Sequence, residues 1–253
     1  MSQPKITTLL DTKNKDTVFH EADPKIGDFA FTAKVANVFD DMVSRSVPYY
    51  EELQRMTCEL ARDFARANTR LYDIGCSTAT TLLALDEAVD PSVAFVGIDN
   101  SESMLAKARQ KVDASGTTRP IDFLTADVNE AFVIENASVV TMLLTLQFVR
   151  PLYRARVMQR IYNGLNEQGC LILVEKLTSG DTLFNRLFIS NYYDFKRRNG
   201  YSETEITQKR EALENVLIPY RLEENIELLK SSGFDRIECF FRWYNWCGIV
   251  AVK

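Results

Sequence analysis

Histidine is almost missing from this chain. One residue, His20, lies in a polar N-terminal stretch among 253 residues, so a multi-histidine metal site and a histidine relay with a spare are both excluded. Glycine is sparse, ten in all, and no G-x-G-x-x-G run opens a helix. A dinucleotide is therefore disfavoured, because close backbone approach to a pyrophosphate needs the second and third glycines. The five cysteines, Cys58, Cys76, Cys170, Cys239 and Cys247, are odd in number and form no C-x-x-C pair. They read as reduced, mostly buried thiols of a cytoplasmic protein, with no zinc motif. No apolar run is long enough to cross a bilayer, and the N-terminus lacks the apolar core of a signal peptide. Basic charge is not in excess: 30 Lys and Arg stand against 35 Asp and Glu, a net charge of -5. Direct binding to nucleic acid, which usually needs a basic face, is disfavoured. The short cluster "FKRRNG" (195–200) reads as a solvated helix end.

What is present is apolar content of 46%, sufficient for one substantial core. Residues 1–28 are polar and turn-rich and are expected to form a loosely ordered arm. From 29 to 68 apolar residues fall at helical spacing, and the break at "SVPYY" divides them into two helices, since Pro48 disfavours helix in the residue before it. Strands and helices then alternate. Apolar runs at 70–74, 93–98, 121–125, 138–145 and 170–175 predict buried strands; the segments between predict helices at 79–88, 101–113 and 151–166. Such alternation implies a mainly parallel sheet with helices on both faces. Helix 222–232 leads to "RIECFFRWY" and "NWCGIVAVK", joined so tightly that they must form an antiparallel hairpin. Residues 178–221 form an insertion, read as two helices over the sheet's carboxyl edge, where open α/β sheets bind ligands. A parallel sheet finished by such a hairpin is similar to the Rossmann-like class I fold of S-adenosylmethionine-dependent methyltransferases, with seven strands. The domain reading is an arm, 1–28, and one catalytic domain, 29–253.

The segment "YDIGCSTAT" (72–80) is a strand entering a tight turn. Asp73 ends that strand, and Gly75 lets a ligand approach the backbone because no Cβ intervenes. Asp99 follows the second strand, where a carboxylate can accept both hydroxyl protons of a ribose. Asp127 follows the third, where a carboxylate can accept from an adenine amine. Each alone is weak, since an acid after a strand is often only a helix cap. At three successive strand ends they point to an adenosine-bearing ligand, and S-adenosylmethionine, which has no phosphate, needs no further glycines. The Asn/Asp-Pro-Pro-aromatic run of nucleic-acid amino-methylating enzymes is missing after the fourth strand. "MLLTLQFV" (142–149) stands there, with Thr145 and Gln147 as weak candidates for orienting a substrate.

The segments "SRSVPYY", "YDIGCS", "GIDNS", "ENAS", "TLQF", "IYNGLN", "VEK", "DFKRRNGYSETEITQKR" and "LENV" resemble, in order and spacing, the carboxy-S-adenosyl-L-methionine synthase family, from about residue 28 to the C-terminus. The resemblance implies conversion of S-adenosylmethionine into its S-carboxymethyl analogue with prephenate as carboxyl donor, releasing phenylpyruvate; the product serves a separate enzyme that modifies wobble uridine in tRNA. It further implies that Tyr50 contacts the cofactor's amino acid end and that Gly75, Cys76 and Ser77 form its turn. By the same resemblance Asp99 and Asn100 hold the ribose, Asp127 and Val128 flank the adenine, and Arg210 binds the transferred carboxylate. Leu143 stands where the family has an asparagine, and the turn after Ser77 lacks the glycine usual nearby. A homodimer is also implied, with Phe184, Phe188, Tyr192 and Tyr193 either at the interface or in the core of one chain.

Arginine's planar fork suits Arg210 to a carboxylate independently of the resemblance, although "SETEITQKREALEN" also reads as a solvated charged helix. Removal of a proton from the sulfonium methyl gives an ylide; prephenate, losing carbon dioxide and its hydroxyl, can provide both the base and the carbon dioxide that the ylide captures, so the chemistry suits a site without a protein base. A dicarboxylate donor calls for further cations, with Lys34, Arg45, Arg197 and Arg198 as candidates. Two other readings stand beside the synthase. One is a small-molecule methyltransferase, favoured if Arg210 points to solvent and Leu143 lines an apolar pocket; the other is a non-catalytic adaptor that holds the cofactor.

Overall fold

In a computed structural model, which describes residues 6–23, 25–130 and 132–253, the strand-like segments meet in one sheet. β1 (Arg70–Ile74), β2 (Ala94–Asp99), β3 (Ile121–Thr125), β4 (Ala137–Leu143) and β5 (Leu165–Lys176) run parallel. β6 (Arg236–Trp243) and β7 (Trp246–Val252) form the antiparallel hairpin, and β7 lies antiparallel to β5. The order β3-β2-β1-β4-β5-β7-β6 reverses direction beside β1, and this reversal opens a crevice at the carboxyl ends of β1 and β4.

Side chains alternate across the pleat and fill two cores. Tyr72, Val96, Val140 and Leu171 face α7 (Pro151–Gly164) and α10 (Leu222–Ser231), meeting Val157, Met158, Ile161 and Leu229. Leu71, Phe95, Val139 and Cys170 face the other way. They pack on α4 (Tyr50–Phe64), α5 (Thr80–Asp86) and α6 (Glu102–Ser115) through Ala61, Leu82, Leu85 and Leu105. Both faces of the sheet are thus covered, as the apolar runs required.

The expected break in the N-terminal helices falls between α3 (Phe39–Ser46) and α4. Val47, ahead of Pro48, is extended, and Tyr49 takes a left-handed φ of 54°, which is how the chain turns sharply between them. Two boundaries differ from expectation. β4 stops at Leu143 rather than 145, because Leu144 adopts φ 60° and the backbone tightens into a short 3-10 turn at Leu146–Phe148. β5 starts at Leu165, immediately after α7.

The N-terminal stretch is more ordered than expected. Residues 1–5 and 24 of it lie outside the described residues. The rest begins with a helical turn, α1 (Ile6–Leu9), whose Ile6 packs into the core with Leu10 also buried. The Asp16 amide donates to Asp41 Oδ2 at 2.6 Å, and the Tyr201 hydroxyl donates to Asp16 Oδ2 at 2.8 Å. Gln208 Nε2 donates to the carbonyls of Phe19 and Glu21. The bonds to Tyr201 and Gln208 join the arm to the insertion across more than 180 residues of sequence, a pairing no local pattern encodes. A further helical turn, α2 (Ala33–Ala36), follows, its Thr32 side chain accepting from the Val35 amide. The insertion holds α8 (Thr182–Arg198) and α9 (Glu203–Leu213), the two helices expected.

Candidate active site

The loop after β1 is built by the backbone. The amides of Gly75 and Cys76 both donate to the Ile98 carbonyl, at 2.7 and 3.0 Å. Gly75 has φ +76°, and a Cβ there would run into the side chain of Thr145; no other residue fits. Ser77 and Ala79 also take left-handed φ values, 52° and 63°. The stretch from Ser77 to Ala79 therefore makes its turn without glycine, holding two side chains in a sparsely populated conformation.

That turn points at the acids. Asp99 Oδ2 accepts from the Ser77 amide at 3.0 Å and Oδ1 from the Ser101 amide at 2.9 Å. The carboxylate is thereby fixed in orientation, while burial raises its pKa. Asp127 Oδ1 accepts from the Asn129 amide and side chain at 2.8 and 2.7 Å. Asp73 is almost fully buried; it accepts from Thr141 Oγ1 at 2.7 Å, and burial pushes its pKa up to about 7. A buried acid in that state would be satisfied by a cationic ligand.

Asp73, Asp99 and Asp127 line one cavity of roughly 510 Å³, within the range of small-molecule sites. Tyr50, Gly75, Cys76, Ser77, Asn100, Val128 and Arg210 line it too, so the residues expected around the nucleotide and the transferred carboxylate border the same space. Their parts are unequal. The Cys76 thiol is buried in the core, and burial raises its pKa far above the thiol range, so it is no nucleophile. Burial likewise raises the Tyr50 phenol. Arg210 sits at the rim, with its side chain 56% exposed and Glu211 at 3.8 Å. Leu143 also lines the cavity. Thr145 and Gln147 do as well, but they hold their own loop: Thr145 Oγ1 donates to the Leu143 carbonyl, and Gln147 Oε1 accepts from the Lys176 amide.

The additional cations are not those anticipated. Arg45 is spent on Asp41, at 2.6 Å, and lies over the Tyr201 ring. Arg197 pairs with Asp194 and Glu203 on the surface. Neither lines the cavity, nor do Lys34 and Arg198. Lys176, Lys196 and Lys209 do. The expected solvated helix end in "FKRRNG" holds for Arg197 and Arg198, which are exposed, whereas Lys196 is buried. The usable signal was the four-residue spacing of Tyr192 and Lys196, which puts both on the inner face of α8.

Beneath the crevice Glu175 is buried and accepts from the Leu146 and Gln147 amides at 2.9 and 2.8 Å. Burial pushes its pKa up to about 8 against the opposing pull of Arg154. It anchors the β4 loop, a role its place in "VEK" did not reveal.

Comparison with known proteins adds identity to this geometry. Residues 71–169 match a family model described as a methyltransferase domain. The carboxy-S-adenosyl-L-methionine synthase of Methylococcus capsulatus is 54% identical over 241 residues, covering 95% of this chain and all of the relative. That of Desulfotalea psychrophila is 44% identical, covering 96% of this chain and 98% of the relative. Among solved structures, an O-methyltransferase assigned by similarity from Nostoc punctiforme superposes with a TM-score of 0.61 at 14% identity. The match covers 87% of this chain and 60% of that one, a likeness of fold.

Proposed function

The chain belongs to the carboxy-S-adenosyl-L-methionine synthase family, and we propose that it converts S-adenosylmethionine into the S-carboxymethyl analogue, with prephenate as carboxyl donor. The observation that carries this reading is one cavity bordered both by strand-end acids and by Lys176, Lys196, Lys209 and Arg210. The acids suit an adenosine-bearing sulfonium. Asp99 would accept from the ribose hydroxyls beside Asn100, and Asp127 from the adenine amine, with Val128 against the ring. The Gly75–Ser77 turn would take the methionyl portion, with Tyr50 at its amino acid end. Asp73 would face the ligand's positive charge.

In the proposed reaction prephenate loses carbon dioxide and hydroxide to become phenylpyruvate. The hydroxide takes a methyl proton from the sulfonium substrate and leaves as water, and the new C–C bond forms to carbon dioxide. The protein's part is to hold both substrates together, exclude water and offset charge. Arg210 would receive the new carboxylate in a bidentate contact. The five cysteines are all free, which suits work in the cytoplasm. We also assign a homodimer, because α8 exposes Leu183, Phe184 and Leu187 together, an apolar surface that association would cover.

A methyltransferase is the second reading, favoured by the half-exposed Arg210 and the apolar Leu143 at the cavity wall. Arg210→Met separates the two. Losing a charge-assisted fork costs about 2–4 kcal/mol, so the variant should hold the carboxylated nucleotide roughly 30- to 1000-fold more weakly while S-adenosylmethionine binding changes little. Arg210→Lys should rescue only in part, since an ammonium lacks the fork. The check is mass spectrometry of the bound nucleotide after incubation with prephenate. Wild type that never yields the carboxylated species overturns the synthase. A methionine variant that retains it undiminished removes Arg210 from the role.

A further inference from the structure

Three lysines border the cavity from three different elements: Lys176 at the end of β5, Lys196 on α8 and Lys209 on α9. Lys196 is 5% exposed and Lys209 7%. Among the described residues no carboxylate hydrogen-bonds to any of the three ammonium groups. Lys209 Nζ is buried without a hydrogen-bond partner, and its nearest acid, Asp16, stands at 3.9 Å. Aromatic rings are what the ammoniums do touch. Lys176 and Lys196 lie over Tyr192 at 5.0 and 4.8 Å, and Lys209 lies 5.5 Å from the Tyr201 ring.

Such an arrangement is costly in a resting protein. Buried charges are ordinarily paired, and like charges crowded together repel. Burial and the neighbouring Lys209 and Lys176 push the Lys196 pKa well below the lysine range; burial brings both Lys176 and Lys209 down to about 8. Charge matching indicates what would relieve the cost. With all three protonated, Asp16 offsets one charge and two are left over, the complement of a dianion. The cavity wall beside them carries Tyr192, Tyr193 and Trp246, flat surfaces suited to a ring.

We infer that Lys176, Lys196 and Lys209 form the subsite for the second substrate, a small ring-bearing dicarboxylate. This rests on the synthase reading above, and it puts the donor's carboxylates on the insertion side of the cavity, away from the strand-end acids. The subsite is composite: the insertion supplies two lysines, and the N-terminal arm supplies the offsetting Asp16.

The experiment uses the full-length protein saturated with S-adenosylhomocysteine, titrated calorimetrically with prephenate and separately with malonate. Lys196→Met and Lys209→Met should each weaken prephenate binding roughly 10- to 100-fold, the scale of one lost charged contact, with S-adenosylhomocysteine affinity unchanged. Lys196→Arg should retain more than Lys196→Met. The methionine variants should also melt at or above the wild-type temperature without anion, since an unpaired buried charge has been removed, and should lose the upward shift that prephenate gives wild type. A lysine with a purely structural role would lower the melting temperature and leave the titration unmoved, and that pair of results overturns the subsite. If wild type binds neither prephenate nor malonate, the subsite is likewise wrong. If malonate binding is lysine-dependent but prephenate is neither bound nor turned over, the anion site stands and the synthase reading with prephenate fails.

Discussion

Asp99 illustrates how one residue serves both fold and ligand. Its two oxygens accept from the Ser77 and Ser101 amides, which sets the turn and opens α6, and the remaining lone pairs face the cavity. Asp99→Ala should weaken S-adenosylhomocysteine by roughly 1.5–3 kcal/mol, the scale of hydrogen bonds to a charged group. Calorimetric titration checks this, with thermal melting run beside it because the turn also loses its acceptor. Unchanged affinity would remove Asp99 from the proposed ribose contact. The contrast with Arg210 is instructive at the same scale: both residues were legible in the sequence, but only Asp99 is held in place by the surrounding backbone. Arg210 is more than half exposed, with Glu211 beside it at 3.8 Å.

At the scale of the element, α9 carries two of the proposed ligand contacts, Lys209 and Arg210, and its start is well defined. Ser202 accepts from the Glu205 amide, and Glu205 Oε2 accepts in return from the Ser202 amide at 2.8 Å, a reciprocal capping box. Ser202→Ala should cost about 0.5–2 kcal/mol of stability, read from urea unfolding. Because the first turn frays, the proposed prephenate affinity should drop as well, whereas S-adenosylhomocysteine, held at the strand ends, should bind as before. Equal loss of both ligands would mean that α9 contributes to the whole site rather than to its donor side. The capping motif itself is visible as "SETE" in the sequence. The side of α9 that turns inward is not, because polar residues occur on every face of the helix.

For the whole molecule, the apolar surface of α8 continues onto the hairpin, where Phe188 meets Tyr244 with ring centres 5.4 Å apart and planes tilted by 43°, and Tyr244 is exposed. The four aromatics grouped in the sequence divide here: Tyr192 is buried and faces the cavity, whereas Phe184 is open to solvent. The proposed homodimer predicts that sedimentation equilibrium returns twice the 28.9 kDa of one chain. Phe184→Glu should shift it to monomer by placing a charge in the contact. A monomeric wild type at micromolar concentration sinks the proposal.

The sequence by itself determined the sheet, its hairpin and the line of acids at its carboxyl edge. Those features rest on short-range rules: short continuous apolar runs make strands buried on both faces, a connection of almost no length compels antiparallel pairing, and an acid at the end of a strand emerges at the sheet's edge. Tertiary structure alone decided which cations face the cavity. Lys196 and Arg197 are adjacent in sequence yet about 100° apart around α8, and only the packing of that helix over β5 and β7 turns one inward and the other out. Local composition likewise made residues 1–28 look loose. Among the described ones, Asp16 is tied down by its bond to Tyr201, 185 residues away; a contact at that separation leaves no period in the sequence and forms only when the fold brings its two ends together.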